Sequence, residues 1–335
     1  MPRALIFIHP GSLGDVLLAV PAMQRLRNRF TQQTSLLVVA EPTGRLLQDL
    51  HLIDAFSPIE GAAVADLFAG SVQSQGEFSH WLGQCDCAVA WMQNKEGDLE
   101  EILRRCGCRE VIVQSPFSSP LRSHHQSDRF LETVGELERV GVNERCWRVP
   151  GPIIDEGRAW LARLDVAADQ PLALIHPGSG SRQKCVAPEV FVSVLEWLRR
   201  EGFHALVIEG PAEGTVANLL GLLPVKPTVL RGMSLTQLAG VLAHASLYVG
   251  HDSGVTHLSS LLGVQTVALF GPTDPERWAP RGDHVRVLRG GLCTCQSWEM
   301  VETCGAKPCL AITPEQVIEL CLLCRDSGAT SRNPS

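Results

Sequence analysis

Short apolar runs alternate with amphipathic stretches along almost the whole chain. The runs at Ala4–His9, Ser35–Ala40, Cys87–Trp91 and Glu110–Val113 have the length and continuity of strands buried on both faces. The runs at Leu172–His176, Ala205–Glu209, Leu247–Val249 and Thr266–Phe270 repeat this in the second half. Between them, apolar positions at helical spacing predict helices near Asp15–Phe30, Thr43–Asp49, Asp98–Cys106 and Asp128–Gly141. Further helices are expected near Pro188–Glu201, Glu213–Leu222, Ser234–Ala243 and Gly254–Leu262, with a last one over Thr313–Arg325. Strand–helix alternation of this kind implies parallel sheets covered by helices on both faces.

The two halves resemble each other in outline. Ile6-Phe-Ile-His-Pro-Gly-Ser-Leu-Gly14 parallels Leu174-Ile-His-Pro-Gly-Ser-Gly180, a strand running into His-Pro-Gly-Ser and then a helix. A chain of 335 residues exceeds one ordinary core and suits two. The expectation is therefore α/β: two doubly wound parallel-sheet domains facing each other across a cleft. They are expected at 1–150 and 151–312, with the linker near Val149-Pro-Gly-Pro-Ile153. Residues 313–335 are expected as a helix packing back on the first domain, then a frayed polar tail.

Composition narrows the classes. Hydrophobic residues make up 45% and charged residues 19%, a globular balance. The net charge is −7 and is not split between the halves, which argues against nucleic acid as a partner. No run approaches the roughly 18 apolar residues of a spanning helix, and Ala4–His9 is too short for a signal peptide. A cytoplasmic protein is expected, in which the twelve cysteines are mostly reduced.

The chemistry lies in polar turns that follow the apolar runs. In open α/β sheets the carboxyl ends of strands are where ligands bind. Val249-Gly-His-Asp-Ser-Gly-Val-Thr-His257 is one such turn, and Phe270-Gly-Pro-Thr-Asp274 is another. Asp252, Ser253, Gly254 and His257 are its candidate residues, although a lone helical histidine is more often structural. Pro10-Gly-Ser-Leu-Gly-Asp15 opens the first helix. Asp15 there reads either as a cap or as a carboxylate able to take a proton from a hydroxyl. His176-Pro-Gly-Ser-Gly-Ser-Arg-Gln-Lys184 has the small residues of an anion cradle, with Ser179 and Ser181 as donors and Lys184 or Arg182 as cation. As a bland alternative it is a flexible connection. In Glu209-Gly-Pro-Ala-Glu213, Glu213 suits a ribose hydroxyl or a helix cap equally. Neither G-x-G-x-x-G nor a Walker loop is present, so no dinucleotide or other cofactor is expected. Ser253 lacks the G-x-S-x-G elbow of a serine hydrolase.

Cys293-Thr-Cys295, Cys304 and Cys309 cluster before the last helix, and Cys321-x-x-Cys324 lies on it. Four thiolates could hold Zn²⁺, but Cys-x-Cys is not a standard zinc-finger spacing. Free thiols packing as small hydrophobes are the expectation, with no metal. Cys85, Cys87, Cys106 and Cys108 read as strand and helix-end residues.

From Ala4 to Val317 the motifs together resemble glycosyltransferase family 9, the ADP-heptose:lipopolysaccharide heptosyltransferases. The resemblance is carried by Gly14-Asp15 with Pro21, by Arg231-Gly-Met-Ser-Leu235 with Leu238 and Ala239, by Gly250-His-Asp-Ser-Gly254 with His257, and by Gly271-Pro-Thr-Asp-Pro275. It implies a GT-B fold of two Rossmann-like domains, the nucleotide sugar held by the second. It also implies an inverting, metal-independent transfer from an ADP-activated heptose to a lipid-linked oligosaccharide core. Asp15 matches the family's proposed base, and Lys184 its diphosphate-contacting lysine. Met233 matches a residue of the adenine pocket. Asp252, Ser253 and Gly254 match the nucleotide-contacting turn, and His257 the histidine that ends that motif. After its lysine the family usually shows Trp-Pro; here Cys185-Val-Ala-Pro188 follows, which puts that loop in question.

The residues fit this chemistry. Inversion needs a base on the acceptor side and stabilised charge on the leaving diphosphate, and no Asp-x-Asp metal motif is present. The acceptor side is expected to use Ser12, Gly14 and Arg122, with His124, His125 and Arg129 nearby; a solvated charged loop is the blander reading there. The expected partners are a nucleotide-diphosphate sugar and a lipid-linked glycan, with at most peripheral membrane contact at the inner face of the inner membrane. Two other readings stay open: a GT-B enzyme using another nucleotide sugar (including a nucleotide-sugar 2-epimerase), and a non-catalytic homologue that only binds one.

Overall fold

The computed structural model describes residues 3–70, 76–93, 98–116, 124–135, 146–210, 221, 223 and 226–331, with no description of the side chains of 326–331. The chain divides into two compact units, Met1–Asn143 and Glu144–Ser335. Each is built on one wholly parallel sheet.

The first sheet runs in the order β3-β2-β1-β4-β5. Its strands are β1 (Ala4–Ile8), β2 (Thr34–Val39), β3 (Ala55–Pro58), β4 (Cys85–Ala90) and β5 (Glu110–Val113). β1 and β4 are buried at every position, because helices cover both faces of a parallel sheet. The chain adds β2 and β3 on one side of β1, then returns to add β4 and β5 on the other. The direction reverses between β1 and β4, and such a reversal opens a crevice at the strands' carboxyl ends.

The second sheet runs β11-β10-β9-β6-β7-β8. Here β6 is Leu172–His176, β7 His204–Ile208, β8 Thr228–Leu230, β9 Leu247–His251, β10 Thr266–Phe270 and β11 Val285–Arg289. The reversal now falls between β6 and β9, where His176 stands opposite Gly250. Gly250 has to be glycine, since a Cβ there would lie 2.4 Å from the Tyr248 hydroxyl.

Two expectations about organisation change, and a third falls outside the described residues. The units part after Asn143, earlier than the supposed linker, whose Gly151 and Pro152 instead open the helix Gly151–Arg163. Proline is tolerated in a helix's first turn, which is why this segment read as a boundary. That helix meets Leu235–Leu242 backbone to backbone; a Cβ on Gly157 would sit 2.2 Å from the Gly240 oxygen. The buried face of the last helix, Pro314–Ser331, belongs to the second unit. Its Val317, Cys321 and Cys324 share a core with Ile175, Val249 and Val267. The helix expected over Glu213–Leu222 lies almost wholly outside the described residues, as do Glu213 and Arg122 themselves.

Candidate functional site: the strand ends at the two sheet reversals

At the reversal of the second sheet, the loops after β6 and β9 are bound to each other. Ser179 Oγ donates to the Asp252 carbonyl at 2.7 Å, and His176 Nδ1 is hydrogen-bonded to Ser253 Oγ at 3.2 Å. Lys184 Nζ lies 2.7 Å from Asp252 Oδ2. The ammonium is a quarter exposed and the carboxylate is nearly buried, so the pair faces outward from the lysine side. Beneath it, Ser253 caps the helix Gly254–Leu261 by accepting the Thr256 N–H, and Tyr248 OH meets Thr256 Oγ1 at 3.0 Å. This chain of hydroxyls satisfies the buried polar atoms and fixes the turn.

The Lys184 loop is held without the family's Trp-Pro. Ser181 accepts the Gln183 N–H and starts a single 3₁₀ turn, Arg182–Lys184. Val186 is buried in the core, and its N–H donates to His251 Nε2 at 2.9 Å. Pro188 then begins the next helix at a position that needs no donor. His251 and His176 were not among the expected site residues. His251 reads as the buried end of a strand, and its partner lies 65 positions away in sequence.

Other expected residues have less to do with this cluster. His257 is buried within its helix. Met233 is half-buried beside Gly232, whose φ of 64° sets the turn, and Ser234 caps the helix that follows. Glu209, at the end of β7, pairs with Arg231 at 2.5 Å. Asp274, in the turn after β10, caps the short helix Pro275–Trp278.

The first unit's strand end is built differently. Ser12, not Asp15, caps the helix Leu13–Arg29, and Asp15 occupies its third position. Asp15 Oδ2 accepts from the Ser12 N–H at 3.0 Å and from its hydroxyl at 2.8 Å, a capping box. Gly14 is buried inside the helix rather than in the loop. Behind the loop, the Gly11 N–H donates to His9 Nδ1 at 3.1 Å. His9 is 1% exposed and packed against Trp91 and Phe130. Burial holds its pKa down to about 4, against the opposing pull of Asp15, so the ring is neutral near pH 7. Gly11 leaves no room for a side chain, since a Cβ would lie 2.6 Å from the His9 ring. The supposed charged loop is not all solvated. His125 caps the helix Gln126–Thr133, and Arg129 is buried within it. The cause is that this helix packs on Leu13–Arg29, as the bond from Ser127 Oγ to the Leu18 carbonyl at 2.7 Å marks.

Two units, each on one parallel sheet with a reversal of strand order, define an α/β protein of the GT-B class. Residues 153–308 match the family described as Glycosyltransferase family 9 (heptosyltransferase), so the resemblance carried by the motifs is borne out through the second unit. The curated relatives include lipopolysaccharide heptosyltransferase 3 of Escherichia coli strain K12, 26% identical over 183 residues, half of this chain and half of that one. Another lipopolysaccharide heptosyltransferase 3 from E. coli is 27% identical over 116 residues, 33% of this chain and 34% of the relative. The chain thus spans half or less of the length of these relatives. Among solved structures, a family 9 glycosyl transferase from Veillonella parvula aligns with a TM-score of 0.81 at 19% identity, over 97% of this chain and 98% of that one. E. coli ADP-heptose lps heptosyltransferase II aligns at 0.71 and 18%, over 98% and 100%. At these identities the structural likeness speaks for the fold.

Proposed function

We propose that this chain is an inverting glycosyltransferase. It moves a heptose, or a similar sugar, from an ADP-sugar to a lipopolysaccharide core or related glycan. The observation that carries this is the Lys184–Asp252 pair with Ser179 and Ser253 at the sheet reversal of the very unit that matches the family.

The diphosphate would take Lys184 from Asp252 and use the Ser181 and Ser253 hydroxyls and the N–H groups that open the helix at Gly254. A helix N-terminus and a cation suit an anion. As the bond from the anomeric carbon to the diphosphate breaks, its electron pair leaves with the nucleotide, and these donors stabilise the charge that develops. Asp15 is the base: its carboxylate takes the proton of the acceptor hydroxyl as that oxygen bonds to the anomeric carbon from the opposite face. Lys184 and the helix terminus supply the positive charge, so transfer needs no metal. Met233 is assigned to the adenine and Ser12 to the acceptor; Glu213 for the ribose, and Gly14 and Arg122 for the acceptor, are assigned from the sequence alone.

One observation favours a purely structural Asp15, since Oδ2 is committed to the Ser12 cap. The second oxygen, Oδ1, is bonded to none of the described residues and is the one assigned to the proton. Among the described residues no helix is long and apolar enough to cross a membrane. A cytoplasmic enzyme with at most peripheral contact at the inner membrane is accordingly part of the proposal.

The test is mass spectrometry of lipopolysaccharide core acceptors incubated with ADP-heptose, followed by NMR of the new linkage. One added heptosyl group, with anomeric configuration opposite to the donor's, is expected. Retained configuration, or transfer only from a UDP-sugar, contradicts the reading.

A further inference from the structure

Four cysteines between β11 and the last helix lie outside the donor cluster, and they converge. The sulfurs of Cys293, Cys295 and Cys304 all lie within 4.8 Å of one another, with Cys293 and Cys295 3.1 Å apart. Cys309, buried beside them, lies close enough to interact with the Cys293 thiol. Sulfurs about 2.3 Å from a tetrahedral metal stand about 3.8 Å from each other, whereas a disulfide needs about 2 Å. The three sulfurs are close enough to share one ion, and at 3.1 Å Cys293 and Cys295 are too far apart for a disulfide.

Packing does not account for the cluster. Cys321 and Cys324, which do act as small hydrophobes, are wholly buried in the core. Cys293, Cys295 and Cys304 are instead half-exposed. Backbone bonds hold the two loops side by side: the Gly290 N–H donates to the Cys309 carbonyl at 3.1 Å, and the Gly291 N–H to the Pro308 carbonyl at 2.8 Å. Gly290 permits this, since a Cβ there would lie 2.6 Å from the Pro308 oxygen. The Lys307 N–H donates to Cys304 Sγ at 3.4 Å, the kind of contact that orients and tunes a thiolate ligand. Lys307 reaches it through a left-handed backbone, φ 39°, that turns the chain around the sulfur.

We propose that Cys293, Cys295, Cys304 and Cys309 bind one thiophilic metal ion, Zn²⁺ or Fe²⁺, and that the ion sets Lys307 against the donor loop. Lys307 Nζ donates to Gln183 Oε1 at 2.5 Å, in the 3₁₀ turn that ends at Lys184. The ion is a structural clip and takes no part in sugar transfer. The metal assignment stands alone; the effect on the donor loop rests on the proposed function.

Native protein from cultures supplied with either metal is analysed by plasma mass spectrometry. About one ion per chain is expected, the fed metal identifying the class, with about a tenfold loss in Cys304→Ser and Cys309→Ser and none in Cys106→Ser. Because a serine variant can misfold, Co²⁺ is also exchanged into the intact protein, where intense thiolate-to-metal absorption and tetrahedral d–d bands are expected. Metal-poor native protein with all four thiols open to reagent, or a four-serine variant that keeps its metal, overturns the assignment. Removing the metal and Lys307→Ala are each expected to weaken ADP about fivefold, and together no further, the pattern of coupled residues. Independent losses would overturn the link to Lys307. If native protein binds no ADP, the donor reading fails while the metal content still decides the clip.

Discussion

The tetrapeptide His-Pro-Gly-Ser ends a central strand in both units, and the two copies behave differently. In the first, the side-chain bonds are local: Gly11 to His9, and Ser12 to Asp15. In the second, His176 and Ser179 reach Ser253 and Asp252, 77 and 73 positions away. A loop that closes on itself can display a carboxylate without help from the rest of the sheet. A loop tied to its neighbour across the reversal is shaped by strand order, and that order brings a cation, two hydroxyls and a helix start together. The same four residues therefore frame a single carboxylate in one unit and join two loops beside a cation in the other.

This contrast can be broken most sharply at Asp15. Asp15→Asn keeps the shape and much of the cap but removes the base. Transfer is expected to fall by roughly 10²–10⁴, with nucleotide affinity unchanged in calorimetry. A loss of less than about threefold would show that Asp15 only caps its helix. Lys184→Ala should act on the other side. It is expected to slow transfer by roughly 10²–10³ and also to weaken ADP, because charge is lost where the diphosphate departs. Unchanged ADP affinity in that variant would leave the second loop without its proposed ligand.

His9 offers a pH test confined to the first loop. Its folded pKa of about 4 lies below the ordinary value of 6.5, so the unfolded chain binds the proton more readily. The neutral ring's contribution is complete above pH 6.5 and is lost as pH falls from 6.5 through 4. The sum is on the order of 3 kcal/mol at about 1.4 kcal/mol per unit. Denaturant melts of the native protein should show that slope and His9→Phe should lack it; equal slopes contradict a buried neutral His9.

The smallest effects separate the two serines. Ser12→Ala removes a cap and Ser179→Ala one hydrogen bond, each worth about 1 kcal/mol. Only Ser179→Ala is expected to weaken ADP measurably. An equal effect from Ser12→Ala would erase the distinction between the loops.

The central strands were legible because burial on both faces leaves an unbroken apolar run; β6 and β10 coincide with the runs read from sequence, as does the edge strand β5. The other edge strands were not. β3 is half-buried along its length, β8 has three residues, and β11 carries arginines at Arg286 and Arg289. The helix Gly151–Arg163 hid behind a Gly-Pro start. Lys184, Asp252 and Ser253 were legible as residue types at strand ends. Their pairing was not, because it follows from β6 lying beside β9, an arrangement no local pattern encodes. Asp15 shows the opposite case: its position was plain, and only the folded loop reveals that Ser12 holds one of its oxygens.

The measurement that bears most directly on the account is calorimetric binding of ADP, UDP and GDP to the native protein. ADP is expected to bind at least about tenfold, or 1.4 kcal/mol, more tightly than either of the others. Tighter binding of UDP or GDP, or no binding of any of the three, would contradict the claim that the reversal between β6 and β9 holds an ADP-sugar.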